Sequence, residues 1–231
     1  MREIILDTET TGLDPFEGHR IVEIGCVELV NRIPTGRTWH CHLNPDRDVP
    51  QKAFEVHGLS TDFLRDKPRF AERADDMLAF IEGAMVVMHN ATFDFGFLNA
   101  ELERLPRTPL RWDRIVDTLA LARRRHPGAP ASLDALCRRY GVDLTERETS
   151  GHGALLDCRL LASVYVELIG GNQARLEFVA NGAQAALLRA SDEAVRARPS
   201  PLPARLTSAE AEAHRTFVAS LGADALWLRY A

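Results

Sequence analysis

The apolar run Ile4-Ile5-Leu6 leads straight into Asp7-Thr8-Glu9, and this junction restricts the chain more than any other stretch. The run reads as a strand, and side chains at i and i+2 of a strand share a face. Asp7 and Glu9 therefore project together at its exit. Two carboxylates so placed repel one another and are costly to hold without a cation. An isolated pair of this kind is usually two solvated acids, so its meaning depends on what the rest of the chain brings to it.

The rest of the chain reads as a mixed α/β fold. Residues 3–7, 20–31 and 36–43 are rich in Ile, Val, Leu, Thr and Trp between Gly/Pro/Asp punctuation, which predicts three strands joined by short turns and hence antiparallel. From Phe70 to Ile81 apolar residues recur at helical spacing, ending at Gly83. A short buried strand follows at Ala84–Met88, then a helix from about Thr92 to Leu105, and Arg114–Val116 suits a fifth strand. Further helices are expected near 117–125, 132–140 and 154–169. The order implies a five-stranded mixed sheet, three antiparallel strands and then parallel ones, flanked by helices.

After Gly170-Gly171 the composition shifts. Residues 180–206 are rich in Ala, Arg, Ser and Pro without sustained periodicity, as in a flexible linker. A helix then begins at Thr207 with a capping box, Thr207-Ser-Ala-Glu210, and runs to about Leu221-Gly222. Phe217, Val218 and Leu221 are expected on one face of it, followed by Leu226, Trp227, Leu228 and Tyr230. The division read from these shifts is a domain over 1–171, a linker over 172–206 and a helical tail over 207–231. Such a tail is too small to bury its own apolar residues, which points to an interaction site.

Charge and apolar content exclude several classes. With 45% hydrophobic and 26% charged residues the chain is neither disordered nor collagenous. Its longest apolar stretch, Ala154 to Gly170, is broken by Asp157, Arg159 and Glu167 and cannot span a membrane. A formal net charge of −5 argues against coating duplex DNA by charge alone, but leaves open an enzyme that grips nucleic acid through metal ions. Cys26, Cys41, Cys137 and Cys158 lack CxxC spacing and sit in apolar contexts, and no signal peptide precedes the first strand. Both point to a cytoplasmic protein with reduced cysteines.

Two further motifs carry acids. His89-Asn90-Ala-Thr-Phe93-Asp94 places Asp94 in the first turn of a helix directly after a strand, where it could simply favour the helix dipole. Gly151-His152-Gly153-Ala-Leu-Leu-Asp157 places a histidine in a glycine-flanked loop and Asp157 one turn into the next helix. Asp117 is expected as a helix N-cap. His40-Cys41-His42 alternates across a strand, so all three cannot easily meet one zinc. Arg123-Arg124-Arg125 and Arg138-Arg139 form a basic stretch, either a solvated face or a track for phosphates.

In order, spacing and context, these three motifs resemble those of the DEDDh exonucleases of ribonuclease H-like fold. They resemble in particular the DnaQ-like 3′→5′ exonucleases, the proofreading-subunit family of bacterial DNA polymerase III. The resemblance extends through Ile21–Arg32, Val56-His57-Gly58, Lys67-Pro68-Arg69-Phe70 and Ser132–Tyr140, covering roughly residues 3–170. It implies release of mononucleotides from single-stranded or frayed 3′ ends of DNA. Asp7, Glu9, Asp94 and Asp157 would hold two divalent ions, Mg²⁺ or Mn²⁺, about 3.5–4 Å apart, and His152 would act as general base. The resemblance further implies substrate contacts at Thr8, Thr10, Thr11, Leu13 and His57. Lys52 stands where the family pattern has an acid, so a contact there would differ in charge. Asn90 and Phe93 are expected to line the pocket. Gln173, Leu176 and Phe178 resemble short sliding-clamp-binding peptides, and the tail would hold the polymerase α subunit. The alternatives are an RNA-directed enzyme of the same family and a non-catalytic module. The latter predicts the loss of an acid or of the histidine, and none is missing.

Overall fold

The apolar run near the start of the chain becomes β1 (Arg2–Thr10), the middle strand of a five-stranded sheet ordered β3-β2-β1-β4-β5. In the computed structural model, which describes residues 1–170 and 206–222, β2 (Ile21–Val30) and β3 (Ile33–His42) pair antiparallel on one side of β1. On its other side β4 (Met85–Met88) and β5 (Ile115–Asp117) add in parallel. The mixed sheet expected from the sequence is the one observed, with each expected strand in place.

Alternation along β1 sorts its side chains between two cores. Ile4 and Leu6 pack with Met77 of α3 (Phe70–Ile81) and with Phe97 and Leu98 of α4 (Ala91–Glu103). Ile5 joins Ala122 of α5 (Thr118–Arg125), Leu136 of α6 (Leu133–Tyr140) and Leu161 of α8 (Ala154–Leu168) on the opposite face. Asp7 and Glu9 share the parity of Ile5 and so face α8. Three helices were not expected: α1 (Gln51–His57), α2 (Thr61–Leu64) and α7 (Thr145–Ser150). Each is too short to repeat an apolar period.

Gly25 of β2 decides how close α8 comes. A Cβ there would lie 2.4 Å from the carbonyl carbon of Ala154, so only glycine admits the first turn of the helix. The Cys158 thiol donates to the Gly25 carbonyl at 3.1 Å. The N-cap, Gly153, has no side chain, and the Ala154 N–H is satisfied by Oε2 of Glu23 at 3.1 Å. On the opposite face, Arg20 makes a two-pronged pair with buried Glu101 at 2.5 and 2.8 Å, fixing to α4 the loop that runs from Thr11 to Arg20.

All four cysteines are free and buried. Among the described residues no helix is long and apolar enough to cross a membrane. The chain divides into two units, Met1–Leu176 and Glu177–Ala231. In the second, α9 (Ser208–Ser220) begins with the expected capping box: Thr207 Oγ1 accepts from the Glu210 N–H at 3.3 Å, and Glu210 accepts from the Thr207 N–H at 2.8 Å. Along this helix Phe217, Val218 and Leu221 fall within one arc of about 100°, Val218 buried and the other two exposed. Gln173, Leu176 and Phe178, the linker up to residue 205, and Leu226, Trp227, Leu228 and Tyr230 lie outside the described residues.

Two glycines should respond oppositely to alanine. Gly25→Ala forces α8 off the sheet and is expected to lose about 1–3 kcal/mol or more, the usual range for overpacking. Gly96, inside α4, has open space where its Cβ would be. Gly96→Ala should gain about 0.5–1 kcal/mol from helix propensity. Urea unfolding of the two variants checks both signs.

Candidate active site

Four carboxylates from three elements meet at the end of β1. Asp7 and Glu9 come from the strand, Asp94 from the start of α4 and Asp157 from the start of α8. Glu9, Asp94 and Asp157 are buried. The N–H and hydroxyl of Thr8 both donate to Asp94 Oδ1, at 3.0 and 2.6 Å, fixing that side chain against the strand. His152 stands at the rim, its Nδ1 3.3 Å from Asp157 Oδ2. The five residues expected to do chemistry are thus brought together.

The electrostatics of the cluster are unfavourable as they stand. Burial is the largest cause raising the pKa of Asp7 well above the usual carboxylate value, followed by Asp94, Glu9 and Asp157. Burial also pushes Glu9 up to about 8, aided by Asp157, Glu23 and Asp94. Asp94 rises to about 7 through burial, although its bonds from Thr8 pull the other way. Against these charges stands the guanidinium of Arg147, which donates to Asp157 Oδ2 at 2.9 Å and to His152 Nδ1 at 2.7 Å and also pairs with Asp134.

These residues fit divalent cations. Asp157 Oδ1 is buried with no hydrogen-bond partner, an orphaned acceptor inside an acidic cluster. Glu9, His152 and Asp157 bring ligand atoms within 4.8 Å of one another. Hard oxygen donors in excess of local positive charge suit hard divalent ions.

Two cavities flank the cluster and divide the remaining expected residues. One, of about 470 Å³, is lined by Thr10, Leu13, Lys52, His57 and Phe93. The other, of about 500 Å³, is lined by Asp7, Asn90, Arg123, Arg147 and Asp157. A larger cavity of about 550 Å³, lined by Leu78, Leu110 and Arg114, contains none of the carboxylates. Leu13 is 85% exposed at the rim of the first cavity, an apolar side chain offered to solvent. His57 is buried there at the end of α1, with Nδ1 accepting from the Leu59 N–H at 3.0 Å. The hydroxyls of Thr10 and Thr11 are spent locally, on the Gly12 carbonyl at 2.6 Å and on the Arg20 N–H at 3.0 Å.

Asp117 caps α5, accepting from the Leu119 N–H at 2.9 Å and from the Asn90 N–H at 3.2 Å. Of the basic stretch, Arg123 lines the second cavity, whereas Arg125 binds the Leu168 carbonyl and Arg139 the Pro130 carbonyl. Sequence reasoning missed Arg147, which sits in the string Thr145-Glu-Arg147-Glu and resembles a solvated helix. It also missed Glu23, although an acid inside Ile21-Val-Glu23-Ile was a visible signal.

The exonuclease family model matches residues 4–165. The DNA polymerase III subunit epsilon of Rickettsia felis is 45% identical over 224 residues, 96% of this chain and 97% of that protein. Its Escherichia coli K12 namesake is 48% identical over 188 residues, 78% of this chain and 76% of that one. Among solved structures, exonuclease X in complex with 5′-overhanging duplex DNA is 27% identical with a TM-score of 0.56, covering 73% of this chain and 92% of that one. The nuclease domain of 3′hExo, a DEDDh family member bound to rAMP, shares the fold at 16% identity and a TM-score of 0.61, over 74% and 92% of the two chains.

The raised carboxylates make a prediction about stability. Since the folded pKa of Glu9 exceeds the unfolded one, the folded state holds the extra proton between about 4.5 and about 8. Stability contributed by Glu9 therefore falls as pH rises through that window. In EDTA, Glu9→Gln should match wild type at pH 4.5 and exceed it by about 1–3 kcal/mol at pH 8, since each tenfold change in proton affinity is worth about 1.4 kcal/mol and the unliganded site relaxes around the charge. Saturating Mn²⁺ should remove or invert the difference, as measured by urea unfolding at each pH.

Proposed function

The chain belongs to the exonuclease family and, at 45% identity over nearly its whole length, to the epsilon subunits of DNA polymerase III; from that premise we propose that it is the 3′→5′ exonuclease that proofreads replication in its cell. The observation that carries the reading is the convergence of Asp7, Glu9, Asp94 and Asp157 beside His152, between two cavities.

The family implies divalent metal ions. Two ions, Mg²⁺ or Mn²⁺, held by the four carboxylates would supply an activated water and neutralise charge on the departing 3′ oxygen. His152 would accept the proton of the attacking water, its Nδ1 here receiving the Arg147 N–H. The terminal nucleotide occupies the cavity of Thr10, Leu13, Lys52, His57 and Phe93, with Leu13 against its base, Thr8 and Thr11 shaping the wall and Lys52 available to a phosphate. Asn90 and Arg123 line the approach on the other side. Frayed or single-stranded 3′ ends fit best, because a paired base cannot lie against Leu13.

In this reading residues 1–171 form the catalytic domain and 172–206 a tether carrying a clamp-binding peptide at Gln173, Leu176 and Phe178. Residues 207–231 form the anchor to the polymerase α subunit, and the complex works in the cytoplasm. A tether raises the effective concentration of the nuclease at a frayed primer end.

Asp7→Ala should abolish hydrolysis of a 3′-mismatched primer without unfolding the protein, and EDTA should do the same to wild type. His152→Ala should lose about 10²–10⁴-fold in rate and flatten the acidic limb of the pH–rate profile. A matched RNA assayed alongside should be cut more slowly than the mismatched DNA. Faster cleavage of RNA would redirect the reading to an exoribonuclease.

The partner segments make a separate prediction. Deleting residues 207–231 should leave primer digestion largely intact and abolish co-purification with the polymerase subunit. Gln173→Ala with Phe178→Ala should weaken clamp binding. Each is checked by pull-down with the purified partner.

A further inference from the structure

His40 and His42 lie on the same face of β3, and the sheet supplies a third group beside them. Glu23 of β2 is the register partner of His42, while His40 lies opposite Gly25, which has no side chain to separate it from Glu23. As a result His40 Nε2 lies 2.6 Å and His42 Nε2 3.6 Å from the same atom, Glu23 Oε1. The three ligand atoms all fall within 4.8 Å of one another. Cys41, on the other parity, is buried in the opposite core. The alternation that separates the cysteine from its neighbours is what lets the two imidazoles meet a carboxylate from the next strand.

We propose that Glu23, His40 and His42 bind a transition-metal dication, zinc by their chemistry, at a site separate from the catalytic carboxylates. Two imidazole nitrogens and one carboxylate oxygen, with solvent in the fourth position, form a donor set suited to tetrahedral zinc. An ion about 2.0–2.2 Å from each ligand sets those ligands roughly 3.3 Å apart. The distances of 2.6 and 3.6 Å lie either side of that spacing, and all three ligand atoms fall within 4.8 Å of one another. Nitrogen donors select against Mg²⁺ and Ca²⁺, so excess Mg²⁺ does not compete for this site.

Exposure and outer contacts agree with this assignment. The Glu23 side chain is 6% exposed, while His40 and His42 are 31% and 27% exposed, so the trio is rooted in the sheet and open on one side to water. Glu23 is oriented through its other oxygen by the Ala154 N–H at 3.1 Å. The His42 ring stands edge-on to Phe63, 5.1 Å between centroids. Lys67 is the nearby cation, its ammonium 4.3 Å above the Phe63 ring. An ion held here would tie β3 and β2 to the first turn of α8, which also carries Asp157.

The test uses the full chain carrying Asp7→Asn and His152→Gln, which disable the catalytic cluster as a competing site, in excess Mg²⁺. Calorimetric titration with ZnCl₂ should show one equivalent bound. His40→Ala and His42→Phe should each weaken it at least about a hundredfold, the second preserving a ring against Phe63. Co²⁺ should give the visible absorption of a tetrahedral ion in the parent and lose it in both variants. Unfolding midpoints in EDTA establish that the variants fold. Failure of the parent to bind Zn²⁺ would leave a hydrogen-bonded Glu–His pair only and overturn the proposal, as would equal affinity in folded variants.

Discussion

The repulsion among the buried carboxylates at the end of β1 is the constraint around which this structure is arranged. Burial and neighbouring acids hold Asp7, Glu9 and Asp94 well above the ordinary carboxylate range. Such an assembly opposes folding unless each acid is given a local reason to stay. Asp94 has the two donors of Thr8, and Asp157 has Arg147. Both aspartates also lie in the first turn of a helix, where the dipole favours negative charge. Glu9 has no comparable partner, and burial followed by the charges of Asp157, Glu23 and Asp94 pushes its pKa up to about 8. Strongly perturbed groups in a cleft are the signature of a site kept for function at the expense of stability.

Those acids are far apart in the chain, and a few backbone features bring them to one place. Gly25 lets the first turn of α8 lie on β2, and Asp7 is the register partner of Gly25 on the adjoining strand. The close approach that glycine permits is therefore what brings Asp157 toward Asp7. Glu23, two residues along β2 on the same face, binds the Ala154 N–H and holds the helix start in place. Because Glu23 is also the register partner of Glu9, the group that caps α8 adds to the charge burden on Glu9.

The parts of this arrangement that repeat locally are legible in the sequence. Period-two alternation places Asp7 with Glu9, and the helical period over Phe70–Ile81 matches α3 end to end. Asp117 as a cap and the Thr207–Glu210 box follow from local hydrogen-bond chemistry. What depends on tertiary approach is not legible. Helices α1, α2 and α7 are under two full turns, too short to show a period, yet α1 and α7 carry His57 and Arg147 to the site. Arg147 looks like a surface residue because its partners, Asp134 and Asp157, lie in other helices. The meeting of His40 and His42 with Glu23 needs the β2–β3 register, which alternation within one strand cannot supply.

Arg147 does not by itself balance the charge of the acids. A guanidinium is a single, delocalised charge with a fixed fork, and here it is divided among Asp157, His152 and Asp134. It lowers the pKa of Glu9 and Asp7 less than burial and the neighbouring acids raise them, and Asp157 Oδ1 is left unpaired. Its bond to His152 Nδ1 also occupies that nitrogen's lone pair, so the contact and proton acceptance at that atom exclude one another. Compact divalent charge can satisfy several carboxylates at once, which one planar fork cannot. A divalent ion held by Asp157 would compete with Arg147 for that carboxylate, and loss of the Arg147 contact would free the imidazole.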